Sequence, residues 1–507
     1  MTAALAETIR RGWDHAAAGD DARAEAHFRA ALAADPAQPD ALTGLAGVLR
    51  RRGMLRDAVL HCDAAIRAAP AHPEAWLERG FVLASGGSMA AARDCYARAA
   101  ALDPTCAAAH AGLASILARD GDSEAGRSHA QRALALDPGN AVAAAALATM
   151  LIESGDAAAA AELLGPLAAA LDAPSQDRAL LLSLLGDARD RLGETDAAYA
   201  CYGRSKADVA MLHEDRREGH QSHRDFISGI AERLEGLTFP PPAAVEQPPG
   251  AAANHVFLLG YPRSGTTLVE NILASIPGVT ALEERPTLAD ADLEFLAADD
   301  GLARFAQLSE DELAPWRAAY WKRAATAVAK PLGETFVDMD PLKGTRLPLI
   351  ARLFPAAKIV LMRRDPRDVV WSCFHTHFAL TNAALDFTGL ERAARHYDAM
   401  MRLIELARAR LPLTVHELDY HRLVADFDGE TRALCAFAGL PWSEDLRRFG
   451  STARTRGVST ASAGQVRRGL YDGRRQWERY AEQMAPVLPL LQPWVERFGY
   501  AGAGSSG

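Results

Sequence analysis

The chain has 507 residues, a length that predicts two or three domains because a single hydrophobic core seldom grows so large. Hydrophobic residues make up 49% of it, charged residues 24%, and the formal net charge is −10. This composition is ordinary for a globular protein, and the acidic balance argues against a nucleic-acid or anionic-membrane partner. The six cysteines show no metal-site or disulfide spacing, so we expect them to be small buried or half-buried thiols.

The ends of the chain carry little targeting information. The first residues lack the basic segment and apolar stretch of a secretory signal, and no run of about 18 apolar residues could span a membrane. We therefore expect a cytoplasmic protein without a membrane span. Residues 501–507 are small and polar, and we expect a disordered tail there.

The first 200 residues repeat themselves with a period of 34 residues. Prolines, glycines and small residues each keep this step, at Pro36, Pro70, Pro104 and Pro138; Gly19, Gly53, Gly87, Gly121 and Gly155; and Ala24, Ala58, Ala92, Gly126 and Ala160. A period of about 34 is the tetratricopeptide spacing, with two antiparallel helices per repeat. We predict an α-superhelical tetratricopeptide solenoid over residues 1–205, with a degenerate last unit near Gly193 that is displaced by a four-residue insertion.

The pattern changes after the repeats. Residues 206–253 are predicted to form a charged connecting helix and a proline-rich linker. Short apolar runs at 256–260, 358–362 and 413–416 then predict strands, and helical patterns at 268–275, 314–329, 390–410 and 429–439 separate them. This alternation predicts an α/β domain over residues 254–500, with a central parallel sheet and its ligand at the carboxyl ends of the strands.

A turn of P-loop spacing, Gly260–Thr267, follows the first of these strands. Thr266 stands where a nucleoside-triphosphate loop carries lysine, so the turn is P-loop-like without that cation. The backbone N–H groups that start the next helix can bind an anion, and Arg263 adds a planar charged fork. The turn therefore predicts a site for a phosphate-like group other than a triphosphate.

A second anion element follows the next apolar strand, where Arg364 and Ser372 stand eight positions apart. If Arg364 ends the strand and a helix begins near Asp368, Ser372 lies about one turn into that helix. Both side chains could then converge on one anion. Two anion sites on neighbouring strands would suit a nucleotide with two separated anionic groups.

Together the two motifs resemble those of the sulfotransferases that use 3′-phosphoadenosine 5′-phosphosulfate (PAPS). The resemblance covers about residues 254–500, and with the repeats the chain resembles a bacterial-type tetratricopeptide-repeat sulfotransferase. The second half is similar to the tyrosylprotein sulfotransferases. This resemblance implies the sulfotransferase fold, PAPS as donor, adenosine 3′,5′-bisphosphate (PAP) as product, and no metal.

The resemblance also implies roles for individual residues. Contacts to the 5′-phosphosulfate fall to Arg263, Ser264, Gly265, Thr266 and Thr267, and those to the 3′-phosphate fall to Arg364 and Ser372. Tyr420 would approach the adenosine, and a late loop with Ser462, Gln465 and Arg467 would close over the donor. Glu283 would be the catalytic base that accepts the acceptor's proton, with Glu284 as its rival and Arg263 as a second catalytic residue.

One departure from the family pattern leaves three alternatives open. Relatives commonly carry lysine where this chain has Met339, and that lysine steadies the bridging oxygen. Either Lys343 reaches in from a turn further on, or Arg263 acts alone, or activity is weak or absent.

Other chemistry-bearing residues suggest less. His375 and His377 have no third metal ligand placed near them in the sequence. We therefore expect them to lie on a helix or loop face near the cofactor rather than to bind a metal. Asp338 and Asp340 suggest either a metal or a helix cap, and the aromatic cluster Trp316, Tyr320 and Trp321 suggests packing.

We therefore predict sulfuryl transfer to a hydroxyl, with a protein or peptide tyrosine as acceptor. Two interpretations of the repeats stay open: a surface that recruits the acceptor or a partner, and a structural or dimerising scaffold. A glycan or small-molecule hydroxyl is an alternative acceptor. A non-catalytic scaffold with a vestigial nucleotide site is an alternative from another class, and a homo-oligomer stays open.

Overall fold

The computed structural model describes residues 2–214, 221–241, 245–328, 331–456 and 469–501. The chain divides into two compact units, Met1–Ala198 and Tyr199–Gly507. Within the described ranges, no helix combines the length and apolarity needed to cross a membrane.

The first unit is a series of antiparallel helices. They are α1 (Ala3–Ala17), α2 (Asp21–Ala34), α3 (Pro39–Arg51), α4 (Leu55–Ala68), α5 (Pro73–Ser85), α6 (Met89–Leu102), α7 (Ala107–Asp120), α8 (Ser123–Leu136), α9 (Ala141–Glu153), α10 (Ala157–Ala170) and α11 (Gln176–Arg191). Helix α12 (Thr195–Leu212) begins in this unit and continues into the second.

The periodic glycines mark the turns within each helix pair. Gly19, Gly53, Gly87, Gly121, Gly155 and Gly193 all have φ between 75° and 90°, a region that costs other residues energy. The small residues predicted to allow close helix approach are buried, with Ala24, Ala58, Ala92 and Ala160 fully inaccessible. The repeat architecture, including the displaced last glycine, is therefore as predicted.

A second set of glycines admits large rings between neighbouring helices. Phe28 packs between Gly12 and Gly44, and Tyr96 packs between Gly80 and Gly112. A Cβ on Gly80 would lie 2.4 Å from Tyr96 Cε1, and one on Gly112 would lie 2.7 Å from Tyr96 Cε2. Each of these rings is thus buried between two glycines that come from two other helices.

We expect Gly80→Ala to lower the melting temperature, because the buried Tyr96 ring must move to admit the methyl group. Such overpacking costs about 1–3 kcal/mol. The matched control is Gly203→Ala in α12, where an added Cβ meets no atom within 4 Å. It should be neutral or gain up to about 1 kcal/mol from helix propensity. Thermal unfolding followed by circular dichroism compares the two, and a Gly80→Ala melting temperature at or above wild type would contradict this packing.

The second unit contains a five-stranded sheet and helices on both of its faces. Its strands are β1 (Asn254–Leu259), β2 (Val279–Glu283), β3 (Thr335–Met339), β4 (Lys358–Arg363) and β5 (Thr414–Asp419). Its helices are α13 (His223–Glu235), α14 (Thr266–Ala274), α15 (Ala289–Ala291), α16 (Gly301–Gln307), α17 (Glu310–Ala327), α18 (Leu347–Leu353), α19 (Pro366–His375), α20 (Asn382–Asp386), α21 (Leu390–Arg410), α22 (Tyr420–Ala425), α23 (Phe427–Ala438), α24 (Phe449–Arg456), α25 (Ala481–Met484) and α26 (Leu488–Arg497). A π-helical turn covers Asp292–Leu296, and 3₁₀ turns cover Pro341–Arg346, Glu444–Arg448 and Gln476–Tyr480.

All strands run parallel in the order β2–β3–β1–β4–β5. The register pairs Val256 of β1 with Val337 of β3 and with Lys358 of β4. Because the chain crosses from β3 on one side of β1 to β4 on the other, the strand order reverses beside β1. Ligands of open α/β sheets bind at such a reversal, which here lies between the carboxyl ends of β1 and β4.

Alternate residues of β1 face opposite sides of the sheet. Val256 and Leu258 belong to a core shared with Val269 and Ile272 of α14. On the other face, His255 and Phe257 pack among aromatic rings, including Tyr320, Trp321 and Phe354. The aromatic cluster of α17 is therefore packing, as predicted.

Two features differ from the sequence-based prediction. Strands β2 and β3 were not predicted, although the parallel sheet was. The stretch 206–237, predicted as one connecting helix, contains the end of α12 and a separate helix α13. The predicted fold class, a tetratricopeptide solenoid followed by an α/β domain with a central parallel sheet, is confirmed.

Candidate functional site

The turn after β1 is held by its own hydrogen bonds. Ser264 Oγ donates to the Tyr261 carbonyl at 2.7 Å and accepts from the Tyr261 N–H at 3.3 Å. Arg263, between them, has a φ of 71°. A non-glycine residue in this left-handed region is uncommon and typically strained, so the turn fixes the direction in which the Arg263 side chain leaves the backbone.

Gly265 joins this turn to α14 and has no room for a side chain. Its φ is 107°, and an added Cβ would lie 2.9 Å from Tyr420 Cδ2. Helix α14 starts at the next residue, Thr266. The N–H groups of a first helical turn have no intrahelical acceptor, which makes this position suitable for an anion.

The two predicted anion elements meet. Arg263 Nε donates to Ser372 Oγ at 3.0 Å, and Arg364 Nη1 donates to the Arg263 carbonyl at 2.8 Å. Arg364 and Ser372 are only 8% and 5% exposed. The Arg364 guanidinium also lies over the Tyr420 ring, 4.9 Å from its centroid. Residues from the ends of β1, β4 and β5 thus converge on one place.

A cleft of about 600 Å³, open to solvent, lies at this convergence. It is lined by Arg263, Gly265, Thr267, Leu268, Arg364, Ser372, His375, Tyr420, Gly469, Tyr471 and Gln476. Burial lowers the pKa of His375 to about 3, with neighbouring cations acting in the same direction. The imidazole is therefore neutral at physiological pH, and the charge of the cleft comes from its arginines.

The segment 469–477 closes one side of the cleft. Arg364 Nη2 donates to the Gly473 carbonyl, and the Tyr420 hydroxyl donates to the Tyr471 carbonyl. This segment was not predicted, because glycine, tyrosine and glutamine in an irregular stretch form no known motif. The Gly473 carbonyl preorganises the Arg364 side chain, and the Tyr471 carbonyl does the same for Tyr420.

A buried carboxylate anchors the same segment from α19. Asp368 accepts hydrogen bonds from the backbone N–H groups of Arg475 (2.8 Å) and Trp477 (3.1 Å). Arg475 has a φ of 58°, so this backbone is held in a left-handed conformation. In the sequence, the position of Asp368 between Arg364 and Ser372 indicated that it lies near the cleft, but not that it anchors the segment 469–477.

The residues predicted to bind the donor fall into three groups. Arg263, Gly265, Thr267, Arg364, Ser372 and Tyr420 line the cleft together. Ser264 and Thr266 belong to the same turn but are buried, at 1% and 3% exposure, and their side chains are not among the described lining residues. Ser462, Gln465 and Arg467 lie outside the described residues.

The candidate bases lie at the carboxyl end of the edge strand β2. Glu283 is its last residue and is half-buried. Glu284 has a φ of 45°, and its N–H donates to the Met339 carbonyl at 2.7 Å. The Glu284 residue as a whole is exposed, but its carboxyl group is shielded from water. This shielding raises the pKa of Glu284 to about 7, and the carboxylates of Asp340 and Glu283 add to the shift.

A third carboxylate, Glu270 of α14, is buried at 1% exposure beneath this group. Burial raises the pKa of Glu270 to about 7, while Arg456, whose Nη2 lies 2.8 Å from Glu270 Oε1, opposes the shift. Arg456 also donates to the Ala281 carbonyl of β2. It therefore ties the end of α24 to the strand that carries Glu283.

Lys343 was one candidate to replace the lysine that relatives carry at the position of Met339. Its ammonium instead contacts buried groups next to β3. Its ammonium forms a buried ion pair with Asp338 and donates to Thr287 Oγ1 at 3.2 Å. Asp338 also accepts from Thr287 (2.7 Å) and Tyr320 (2.8 Å), so its role is structural. Met339 is fully buried. Of the cationic candidates weighed from the sequence, Arg263 is the one that lines the cleft.

We expect Lys343→Met to destabilise the fold, because Asp338 would remain buried without its cation. Removing one partner of a buried pair typically costs about 3–5 kcal/mol. Lys322→Met, on the exposed side of α17, is the matched control and should leave the melting temperature unchanged. Chemical denaturation measures both. A normal stability with lost donor binding in Lys343→Met would instead support a direct role in the cleft.

Metal chemistry has no obvious centre here. In the part of the chain that the structure describes, no group of three or more His, Cys, Asp or Glu side chains is placed to hold a metal ion. Asp340 accepts from the Leu342 N–H at 2.9 Å and caps the 3₁₀ turn that follows β3. The sequence suggested either a metal site or a helix cap for Asp338 and Asp340. The structure shows that Asp340 is a cap.

The fold and cleft define a class of protein: an α/β domain with an arginine-lined cleft at one edge of a parallel sheet, preceded by helical repeats. Comparison with known protein families assigns a model to each of these two parts. Residues 255–444 match the model described as the sulfotransferase family, and residues 9–73, 53–105 and 77–141 match a tetratricopeptide repeat model. Residues 255–444 are therefore similar to the sulfotransferase family, and the first unit carries tetratricopeptide repeats.

Three similar proteins illustrate the relationship. An uncharacterized protein of Aquifex aeolicus (strain VF5) is 30% identical over 275 residues, which are 53% of this chain and 34% of that protein. Omega-hydroxy-beta-dihydromenaquinone-9 sulfotransferase Stf3 of Mycobacterium bovis (strain ATCC BAA-935 / AF2122/97) is 27% identical over 143 residues, 26% of this chain and 37% of that protein. Protein-tyrosine sulfotransferase A of Caenorhabditis elegans is 22% identical over 307 residues, 55% of this chain and 77% of that protein. The match spans about a third of the length of the first two relatives.

Proposed function

We propose that this protein is a sulfotransferase that moves the sulfuryl group of PAPS to a hydroxyl acceptor and leaves PAP. One observation carries the proposal: the turn after β1 and the Arg364–Ser372 element share a cleft and are joined by the Arg263–Ser372 hydrogen bond. A ligand with anionic groups at two ends matches two anion elements in one cleft better than a singly charged ligand does.

The residues of the cleft fit such a donor. Arg364 is buried with its Nε lacking a hydrogen-bond partner among the described residues, and an unpaired buried guanidinium nitrogen is costly unless an anion completes it. Gly265 lines the cleft, so the backbone of the turn is accessible to a ligand there. We assign the 3′-phosphate to Arg364 and Ser372, and the 5′-phosphosulfate to the turn from Arg263 to Thr267 with the α14 N-terminus.

When bound, PAPS supplies the sulfuryl group. Glu283 would accept the proton of the acceptor hydroxyl as the hydroxyl oxygen bonds to sulfur and the bond from sulfur to the bridging phosphate oxygen breaks. Arg263 would neutralise the charge that develops on that bridging oxygen, in place of the lysine replaced by Met339. Tyr420 would hold the adenosine side of the donor, together with the segment 469–477.

For the acceptor we propose a protein or peptide tyrosine, recruited by the repeat unit. The longest of the named matches, to the protein-tyrosine sulfotransferase of Caenorhabditis elegans, supports this acceptor. Tetratricopeptide repeats commonly offer an extended concave surface to peptides, which supports a protein partner. No nucleic-acid partner is proposed, given the net charge of −10.

The match to the mycobacterial Stf3, named for a hydroxylated menaquinone, favours a second candidate, a small-molecule hydroxyl. Incubation of the purified chain with ³⁵S-labelled PAPS and separate panels of tyrosine peptides, phenols, lipid alcohols and sugars tests both. Label transferred to tyrosine peptides supports the first candidate, and label confined to another panel replaces it. No transfer to any panel, with intact folding, favours the non-catalytic scaffold.

A further inference from the structure

A buried lysine stands beside the cleft without a carboxylate partner. Lys206 of α12 is 6% exposed, and its Nζ donates to the Thr376 carbonyl at 2.5 Å. The same ammonium lies 5.9 Å from the centroid of the Phe378 ring. Within the described ranges of the chain, no carboxylate forms an ion pair with it. A buried ammonium paired only with a carbonyl and a ring is costly, which calls for an explanation.

The carbonyl that Lys206 contacts belongs to the helix that carries the anion-binding serine. Thr376 caps the carboxyl end of α19, and its N–H donates to the Ser372 carbonyl at 3.2 Å. A cation is favourable at that end of a helix, where carbonyl groups lack partners. Lys206 therefore holds the end of α19 one turn from Ser372.

The rest of α12 packs along the same helix. Tyr199 lies 5.6 Å from Phe374 and Tyr202 lies 5.4 Å from His375, measured between ring centroids. His375 in turn lines the cleft. The contact between α12 and α19 is thus a row of packed aromatic rings, which fixes the position of Lys206 relative to α19.

We propose that Lys206 is a positioning residue of the anion cleft, which fixes α19 and adds positive charge behind the bound bisphosphate. The inference rests on the proposed function. Lys206, Arg263 and Arg364 would form a triangle of cations, of which the two arginines touch the ligand and the lysine acts through α19. The residue precedes the predicted start of the sulfotransferase domain at 254, so that boundary would exclude part of the site.

Charge linkage provides the test. Burial lowers the pKa of Lys206 to about 8, so its charge is lost as the pH rises through that value. A bound anion favours the charged form, so binding should take up a proton near pH 8 and weaken at higher pH. If binding raises the pKa of Lys206 by about one unit, affinity falls about tenfold between pH 7 and 9.5.

Other groups that face Lys206 do not titrate in that interval. On α19, burial raises the pKa of Cys373 to about 12 and lowers that of His375 to about 3. Burial also lowers the pKa of His377 below its ordinary value. Arg263 and Arg364, on the cleft side, stay charged throughout. Glu270 and Glu284, whose pKa values are raised to about 7, also lose protons above pH 7 and give a background that every variant shares. The part of the pH dependence that Lys206→Met removes therefore reports on Lys206.

The experiment is calorimetric titration of the full chain with PAP at pH 7 and pH 9.5, for wild type, Lys206→Met and Lys206→Arg. We expect Lys206→Met to bind about tenfold more weakly at pH 7 and to keep only the background pH dependence of the carboxyls. Lys206→Arg should stay charged at both pH values, so it should bind as wild type does at pH 7 and show only that background at higher pH. Lys322→Met, on the exposed side of α17, should behave as wild type.

The melting temperature separates this role from simple packing. Because methionine fills the same space without a buried charge, we expect Lys206→Met to be as stable as wild type or more stable. Equal affinity and pH dependence in Lys206→Met and wild type would overturn the inference and leave the proposed function standing. Weaker binding with an unchanged pH dependence and a lower melting temperature would also overturn it. Absence of PAP binding by wild type would overturn both.

Discussion

Replacing Arg364 with alanine will lower the affinity for PAP by about 100-fold or more, equivalent to ~2.7 kcal/mol. Arg364 makes three contacts around the cleft: it contacts the Arg263 carbonyl, the Gly473 carbonyl and the face of Tyr420. Its loss removes a charge and also frees the two backbone segments that it joins. Calorimetric titration of the purified variant measures the change.

The control for Arg364→Ala is Arg402→Ala. Arg402 pairs with Asp398 on α21, and its side chain is 68% exposed. An exposed pair of this kind contributes at most about 1 kcal/mol, so PAP affinity and the melting temperature should stay at wild-type values. Arg364→Ala binding within about threefold of wild type would contradict the assignment of the 3′-phosphate to this residue.

Glu283→Gln will reduce the rate of sulfuryl transfer about 10²–10⁴-fold and leave PAP affinity within about twofold of wild type. The substitution keeps the shape of the side chain and removes its ability to accept a proton. Because Glu283 lies at the end of β2, away from the described lining of the cleft, donor binding should not depend on it. Single-turnover transfer to the best acceptor measures the rate.

Glu284→Gln is the matched comparison, since the two carboxylates are adjacent. Glu284 is exposed and its backbone is in the left-handed region, so we expect its removal to change the rate by less than about tenfold. A larger loss in Glu284→Gln than in Glu283→Gln would transfer the role of base to Glu284. Near-equal losses would indicate that the pair acts as a unit.

The repeats were the most predictable part of the molecule. Gly19 and its periodic equivalents adopt positive φ, a requirement that acts locally and therefore leaves a direct trace in the sequence. The aromatic rings that separate neighbouring repeats were not predicted. Phe28 and Tyr96 depend on glycines from two other helices, and this relation becomes visible only once the helices are packed.

The two missed strands show where local patterns fail. β3 (Thr335–Met339) contains Asp338, a residue that is unfavourable in a buried strand. Lys343 balances the charge of Asp338, and the hydroxyls of Thr287 and Tyr320 donate hydrogen bonds to it. β2 (Val279–Glu283) is a short edge strand whose residues alternate between half-buried and buried. In both strands, contacts from other parts of the chain outweigh weak local preference.

The cleft was predictable in outline because parallel strands place their carboxyl ends at one edge of the sheet. Arg263 and Ser372 are 109 residues apart in sequence, yet their side chains touch. The segment 469–477 and Lys206 were not predicted, because their roles rest on backbone carbonyls and on a helix end. Neither kind of contact selects a recognisable residue pattern.

Calorimetric titration of wild-type protein with PAP and with adenosine 5′-monophosphate tests the central claim most directly. The claim is that one cleft holds a nucleotide by two anionic ends, the turn after β1 and the Arg364–Ser372 element. It predicts one PAP per chain, bound at least about tenfold more tightly than the monophosphate. Equal affinity for the two nucleotides, or no binding of PAP, would contradict it.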